Sequence, residues 1–400
     1  MSERASRAAR GLARCYNIDD LREAARRNLP KGVFDYVDKG TEDQRALDNN
    51  RQVLGDIKLL PRALTDVSDV NTATEIMGKP AAMPLIVAPT GIAGLCWYEG
   101  EFELARAAAA ARLPFTLATG SNTPMEKVAQ IPGGRPWFQL YMWREKELSY
   151  ELVRRAANAG FETLMWTVDL PFKPNREHDQ RNGFASPYKF NVRNALDALG
   201  HPRWLQSVLC RYLTTTGMPR HINFPAKYQE KFTGKATVAK ALQADQLSWD
   251  DVRKLRDIWP GKLVLKGILR ESDAQKAADH GVDGIVVSNH GGRSMDSAPS
   301  PLEVLPGIAK AVGGKTTVIV DSGIRRGSDI VKCLALGAQA VMAGRAMVYG
   351  VGAGGEAGVS KAIAILHQEL RRTMAYVGCT RTGDITADVL WRGVERLTSL

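Results

Sequence analysis

The 400-residue chain is poor in the groups that announce several common chemistries. Its five cysteines (Cys15, Cys96, Cys210, Cys333 and Cys379) are scattered, odd in number and free of CxxC spacing. That pattern excludes a disulfide framework or thiolate zinc site and predicts free thiols in a reducing compartment. The six histidines show neither metal-ligand spacing nor an HExxH run, so no metal site is expected. A GxxxxGK[S/T] loop is missing, which argues against hydrolysis of nucleoside triphosphates. No run of about 18 uninterrupted apolar residues is present, so no membrane-spanning helix is expected. The polar start Met1-Ser2-Glu3-Arg4 lacks the apolar core of a secretory signal. Net charge is +11 and the pI is near 9.4, yet no zinc finger or RNP-like aromatic motif accompanies it. Nucleic acid is therefore not an expected partner, while an anionic membrane surface or an anionic substrate is.

What remains is an ordinary globular composition, 44% hydrophobic and 24% charged, sufficient for a large core. Residues 1–14, rich in Arg, Ala and Ser, read as a frayed leader. Asn17 then caps a helix that Leu29-Pro30 stops, and Gly32 to Asp38 begins another. Residues 43–80 mix polar and apolar positions with several breakers and predict irregular strands and loops.

From residue 83 the chain alternates. Eight short β-branched runs end at Ala88, Ala118, Tyr141, Asp169, Lys266, Ser288, Asp321 and Gly344, with helical patterns such as 101–112, 145–159, 272–280 and 328–336 between them. That rhythm predicts a (β/α)8 barrel. A doubly wound open sheet competes, but its GxGxxG fingerprint is absent after the first strand. The whole chain is expected to form one domain. An N-terminal extension (1–82) leads into barrel segments (83–175 and 248–350), followed by a C-terminal helix and tail (351–400). Residues 176–247, between the fourth and fifth strands, form a long insertion. Trp204, Leu205, Val208, Leu209, Tyr212, Leu213, Met218 and Phe224 occur there with Arg193, Arg203, Arg211, Arg220, Lys227 and Lys231. Aromatic and basic residues together suit an interfacial membrane contact, centred on 190–235. An active-site lid or an oligomer contact explains the same segment equally well.

In such a barrel the carboxyl ends of the strands converge on one pocket. The sixth run delivers Ser288-Asn289-His290-Gly291-Gly292-Arg293: an imidazole base and a guanidinium fork on a glycine-rich loop, suited to chemistry at the α-carbon of a hydroxy acid. Asp169 is placed to orient His290, and Arg176 to join Arg293 in gripping a carboxylate; Tyr36 and Tyr141 are candidate hydroxyl donors to substrate. Asp321-Ser322-Gly323-Ile324-Arg325-Arg326-Gly327 and Gly344-Arg345 follow the last two strands, where barrels hold phosphate with backbone N–H groups. Lys266 either forms a Schiff base or stabilises negative charge on a bound ring.

Taken together these stretches resemble the FMN-dependent (S)-2-hydroxy acid dehydrogenases and oxidases, from residue 16 to about 385. Ser288 to Arg293 matches that family's signature. Supporting matches are Leu29-Pro30-Lys31 to Asp35-Tyr36, Ala88-Pro89-Thr90-Gly91, Phe138-Gln139-Leu140-Tyr141, Thr167-Val168-Asp169, Val264-Leu265-Lys266-Gly267 and the Asp321 loop. The resemblance implies FMN as cofactor and His290 as base with Asp169 its partner. It places the substrate on Arg176, Arg293, Tyr36 and Tyr141, and Lys266 beside the flavin N1–O2 edge. Pro89, Thr90, Gly91, Ala118, Gln139, Thr167, Ser288, Asp321 and Gly323 would line the cofactor, and Arg325, Gly344 and Arg345 would hold its phosphate.

Within the family, Gly91 stands where many oxidases have Ala, and Gly120 where glycolate oxidases have a crowding Trp. With Gly120-Ser121-Asn122, His201 to Trp204 and Leu255 to Pro260, these features favour the mandelate-oxidising members. Those pass electrons to a quinone or the respiratory chain. Lactate dehydrogenation and oxygen-using hydroxy acid oxidation are the alternatives. The resemblance further implies a homo-oligomer (a tetramer) in the cytoplasm, peripheral on the cytoplasmic face of the inner membrane. No fused haem domain is expected. Ala118 replaces a common Ser near the flavin, and Ser294 a usual Gln.

Overall fold

A computed structural model describes residues 11–184, 191–229 and 245–391. Most of the expected leader, the end of the tail, Lys231 and the side chain of Lys227 lie outside the described residues. The chain opens with helices α1 (Ile18–Asn28), α2 (Lys31–Asp38) and α3 (Arg45–Asp56). Asn17 caps α1 by accepting the Asp20 N–H at 2.8 Å, satisfying one of the donors that a helix start leaves unpaired. Helix α3 corrects the expectation of irregular structure over 43–80. Its buried stripe is Ala46, Asn50 and Leu54, spaced by four but too small and too polar to register as an apolar face. The rest of that segment contains a hairpin, β1 (Thr74–Ile76) and β2 (Lys79–Ala81).

Eight parallel strands then close a barrel: β3 (Leu85–Val87), β4 (Pro114–Ala118), β5 (Arg135–Leu140), β6 (Thr163–Thr167), β7 (Lys262–Ile268), β8 (Gly284–Val287), β9 (Thr317–Val320) and β10 (Ala340–Ala343). The ring runs β3 to β10 in chain order and β10 pairs back onto β3. The (β/α)8 expectation is therefore met. Both faces of each strand are buried, which explains the continuous rather than alternating apolar runs. Ile86, Trp137, Met165, Val264, Val286, Ile319 and Met342 fill the barrel interior, and Ile76 and Ala81 of the hairpin join that inner cluster. The alternate residues, Leu85, Phe138, Leu164, Leu263, Ile285, Val318 and Val341, pack outward in the larger cluster. Fully burying each such side chain contributes about 1.5–3 kcal/mol.

The outer ring includes α4 (Gly100–Ala110), α5 (Lys146–Asn158), α7 (Trp249–Ile258), α8 (Glu271–Asp279), α9 (Pro301–Val312), α10 (Gly327–Ala335) and α11 (Arg345–Tyr376), with α6 (Val192–Leu199) in the insertion. Helix α11 is broken at Gly354 and Gly355. The insertion divides its residues by exposure. Trp204 donates its indole N–H to Leu95 O at 2.7 Å, and Val208, Tyr212 and Phe224 are buried. These are inward anchors, which corrects their reading as interfacial aromatics. The exposed apolar face is instead Val192, Leu196 and Leu199 of α6, with Leu213 beyond it.

Candidate active site

A cavity of about 630 Å³ opens at the carboxyl ends of the strands, within the usual size of a cofactor site. One wall is the loop after β8. His290, Gly291 and Gly292 have φ values of 59°, 67° and 70°, a left-handed run that is unfavourable for a histidine. Hydrogen bonds hold it there. Ser288 Oγ accepts the His290 N–H at 3.0 Å, Ser322 Oγ accepts from Gly291 N at 3.0 Å, and Asn289 is clamped between Asn50 and its own loop. A Cβ at Gly292 would run into the backbone of Leu47, so glycine is needed for space as well as for φ.

The imidazole Nδ1 lies 3.0 and 3.2 Å from the Asp169 oxygens. A carboxylate only accepts, so Nδ1 carries the proton and Nε2, 3.3 Å from Tyr141 OH, is the acceptor. Burial, then Lys266 and Arg176, push the histidine pKa below its ordinary 6.5 against the opposing pull of Asp169. The imidazole is thus neutral at rest. Burial works against ionisation of Asp169, but its pairing with the His290 Nδ1–H and the charge of Lys266 outweigh it and hold that carboxylate below its usual range. Gly267, φ 107°, gives Asp169 its place, because any Cβ there would strike the aspartate side chain.

The guanidinium of Arg293 lies 4.8 Å and that of Arg176 5.9 Å from the Tyr36 ring centroid. Burial and then the neighbouring Arg176 push Arg293 down to about 9, so it remains cationic at neutral pH. Arg293 donates to Tyr36 O at 2.6 Å and Lys39 O at 2.9 Å. Arg345 donates to Val37 O, Gly291 O and Lys39 O at 2.9, 2.7 and 3.1 Å. The unpaired carbonyls at the end of α2 are therefore satisfied by two arginines, the charge that a helix C-terminus favours. Arg345 lines the cavity with three of its five donors used in this bracing, which fixes its guanidinium in place.

Lys266 is buried, 2.8 Å from Ser288 Oγ and 3.1 Å from Asp321 Oδ2. Burial alone would lower its pKa, yet Asp321 and Asp169 together raise it. A Schiff base requires the neutral amine, so the geometry favours the charge-stabilising alternative. Gln139 Nε2 donates to Thr167 Oγ1 at 3.0 Å, and both line the cavity with Pro89, Thr90, Gly91 and Ala118. Asp321, Gly323, Arg325 and Gly344 line it as well, and Gly344 caps α11. Ser288 and Asp169 do not reach the cavity surface; they sit behind Lys266 and His290 and position them.

The sequence marks neither Arg51 nor His221, and it names Phe224 only as part of the insertion, for which a lid is one of the readings. Arg51, on α3, donates to Asp329 Oδ2 at 2.8 Å and to Gly323 O, and lines the basic end. Its helix was not anticipated, and no motif marks it. His221 and Phe224 come from the insertion and line the cavity from above.

These residues fit FMN. The phosphate would meet Arg51, Arg325, Arg345 and the backbone N–H groups around Gly323 and Gly344, a favourable place for an anion. Lys266 would meet the ring. The Thr90 hydroxyl is buried with no hydrogen-bond partner among the described residues, as expected of a group that a cofactor completes. Among the described residues no cluster suited to a metal ion is found.

Residues 25–392 match the model of the FMN-dependent dehydrogenase family, and the chain belongs to that family. It is 44% identical over 375 residues to a putative L-lactate dehydrogenase of Mycobacterium tuberculosis, covering 93% of this chain and 88% of that one. It is 40% identical over 376 residues to the (S)-mandelate dehydrogenase of Pseudomonas putida, covering 94% and 93%. Among solved structures it resembles a monotopic membrane protein, (S)-mandelate dehydrogenase, with a TM-score of 0.89 and 39% identity, covering 94% of this chain and 99% of that one. FMN is accordingly the cofactor of an oxidoreductase.

Proposed function

We propose that this protein oxidises an (S)-2-hydroxy acid, favouring a mandelate-like acid, to the 2-keto acid and delivers the electrons to a quinone or respiratory-chain acceptor. The observation that carries the reading is the neutral His290, oriented by Asp169, beside two crowded arginines on one cavity wall.

Arg176 and Arg293 bind the substrate carboxylate; the Arg176 Nε is buried without a partner among the described residues, and each cation raises the other's need for an anion. Tyr36 and Tyr141 donate to the carboxylate or the hydroxyl. His290 Nε2 removes a proton, and the Asp169 carboxylate stabilises the imidazolium that results. Lys266 keeps a fixed positive charge where negative charge develops, in a dry site where such charges act strongly. FMN, when bound, supplies the two-electron acceptor. Pro89, Thr90, Gly91, Ala118, Gln139 and Thr167 hold its ring, and Asp321, Gly323, Arg325, Gly344 and Arg345 its chain and phosphate; Ser288 acts through Lys266.

The lactate alternative is supported by the name of the 44% identical relative; an aryl substrate is supported by the mandelate-named relative. We further infer one domain and a homo-oligomer, with the exposed leucine face of α6 resting peripherally on the cytoplasmic leaflet. Arg193, Arg203 and Arg211, all exposed in the same insertion, supply charge an anionic surface attracts. No helix among the described residues is long and apolar enough to cross a membrane.

The test is anaerobic flavin reduction with (S)-mandelate and L-lactate, followed by reoxidation with a quinone analogue or oxygen, and flotation with anionic vesicles. Bleaching by mandelate, rapid reoxidation by quinone and co-flotation are expected. Bleaching by neither acid sinks the catalytic reading; failure to float at low salt sinks the membrane contact.

A further inference from the structure

We propose that His221 and Phe224, both carried by the insertion, form the wall that receives the substrate side chain and set the preference for an aryl group. This rests on the reading of the chain as a 2-hydroxy acid dehydrogenase.

The first observation is position. In the ring of strands β5 and β6 lie across from β9 and β10. The basic end of the cavity hangs on the loops after β9 and β10, whereas Met142 and Phe172 follow β5 and β6, and Gly120 follows β4. His221 and Phe224 descend on this second side. Their rings stack with centroids 4.5 Å apart and 25° between planes, and both line the cavity.

The second is that Gly120 and His221 occupy complementary space. A Cβ at Gly120 would already be in van der Waals contact with His221, 3.7 Å from its Nδ1 and 3.8 Å from its Cε1, so a longer side chain there would compete with the imidazole for this side of the cavity. His221 donates from Nδ1 to Gly120 O at 2.9 Å. Burial holds its pKa below the ordinary value, so it presents a flat, uncharged face. Offset aromatic contacts with such a face add about 0.5–1.5 kcal/mol beyond area burial.

The third is rigidity. The segment is bolted to the barrel rim rather than poised above it. Asn122 Nδ2 donates to Arg220 O at 2.9 Å. The nearly inaccessible Asn223 both donates to Thr123 O at 2.8 Å and accepts from Met125 N at 3.0 Å. Phe224 meets Trp143 edge-on at 4.7 Å. A wall fixed from two neighbouring strand loops can discriminate by shape, because its rings do not have to be ordered when substrate binds.

The test compares the rate of flavin reduction per unit concentration for (S)-mandelate and L-lactate in the FMN-loaded wild type and in Phe224→Ala, Phe224→Leu and His221→Ala. Phe224→Ala and His221→Ala are expected to lower the mandelate-to-lactate ratio about 10- to 100-fold, with Phe224→Leu recovering part of it. Flavin content and melting temperature accompany each variant; if Phe224→Ala loses its flavin, Phe224→Leu and His221→Ala carry the comparison. Ratios within about twofold of wild type in both positions overturn the assignment. So does a wild type reduced by lactate alone, which leaves the hydroxy acid reading standing; reduction by neither acid instead strikes that reading.

Discussion

The two ends of the cavity are both cationic, but their arginines are held differently. At the basic end Arg51 and Arg345 are tied to carbonyls and to Asp329, and Arg325 to Asp19 at 3.1 Å and Tyr349 OH at 3.4 Å. They are braced before any anion arrives. At the His290 end Arg293 is braced on Tyr36 O and Lys39 O as well, but Arg176 crowds it and helps push its pKa down, and the Arg176 Nε has no partner among the described residues. A braced cation suits a resident group that is bound once; a crowded pair suits an anion that comes and goes. Lys39 O, which accepts from both Arg293 and Arg345, joins the two ends.

Substitutions should separate these ends. The largest effect is expected for His290→Ala, which should retain flavin yet lose about 10²–10⁴-fold in its rate of reduction by substrate. Rapid anaerobic bleaching of that variant would remove His290 from the chemistry. Next is Arg325→Met at the other end, which should weaken FMN retention about 10-fold or more by removing a charge-assisted contact. Flavin released on dilution and filtration measures it. Equal retention would show that backbone donors suffice. The smallest concerns pH. His290 must be neutral to accept a proton, and burial, Lys266 and Arg176 lower its pKa. The acid limb of kcat/KM should therefore fall below the ordinary imidazole value of about 6.5, with full activity above it. An acid limb above that value would contradict the environment described.

The barrel was legible in the sequence because parallel strands buried on both faces are written as unbroken β-branched runs. Several polar residues at or just after the ends of those runs, Thr90, Gln139, Lys266, Asp321 and Arg345 among them, line the cavity. Helix α3 was not legible, since Ala46, Asn50 and Leu54 form no apolar stripe, and Arg51 was lost with it. The insertion was misread in part for a related reason. Trp204, Tyr212 and Phe224 have the composition of an interfacial patch, but composition does not say which side of a helix meets the barrel. The leucines of α6 turned outward instead. Ser288 reads as a cofactor contact in the sequence, whereas its hydroxyl meets Lys266 at 2.8 Å and does not line the cavity, because a strand's end residue faces either the cavity or the group behind it. Which one is decided by Lys266 packing in front.

The insertion leaves the barrel after β6 and returns before β7, so its two ends are fixed on adjacent strands. Loop-closure entropy grows only logarithmically with length, about 0.6 kcal/mol for each doubling. A long excursion at this point therefore costs the fold little more than a short one. Its outward helix α6 and its cavity-facing segment 220–229 are joined in series but anchored separately, so the two are independently replaceable parts. One of them could be exchanged for a different surface address while the other went on shaping the pocket.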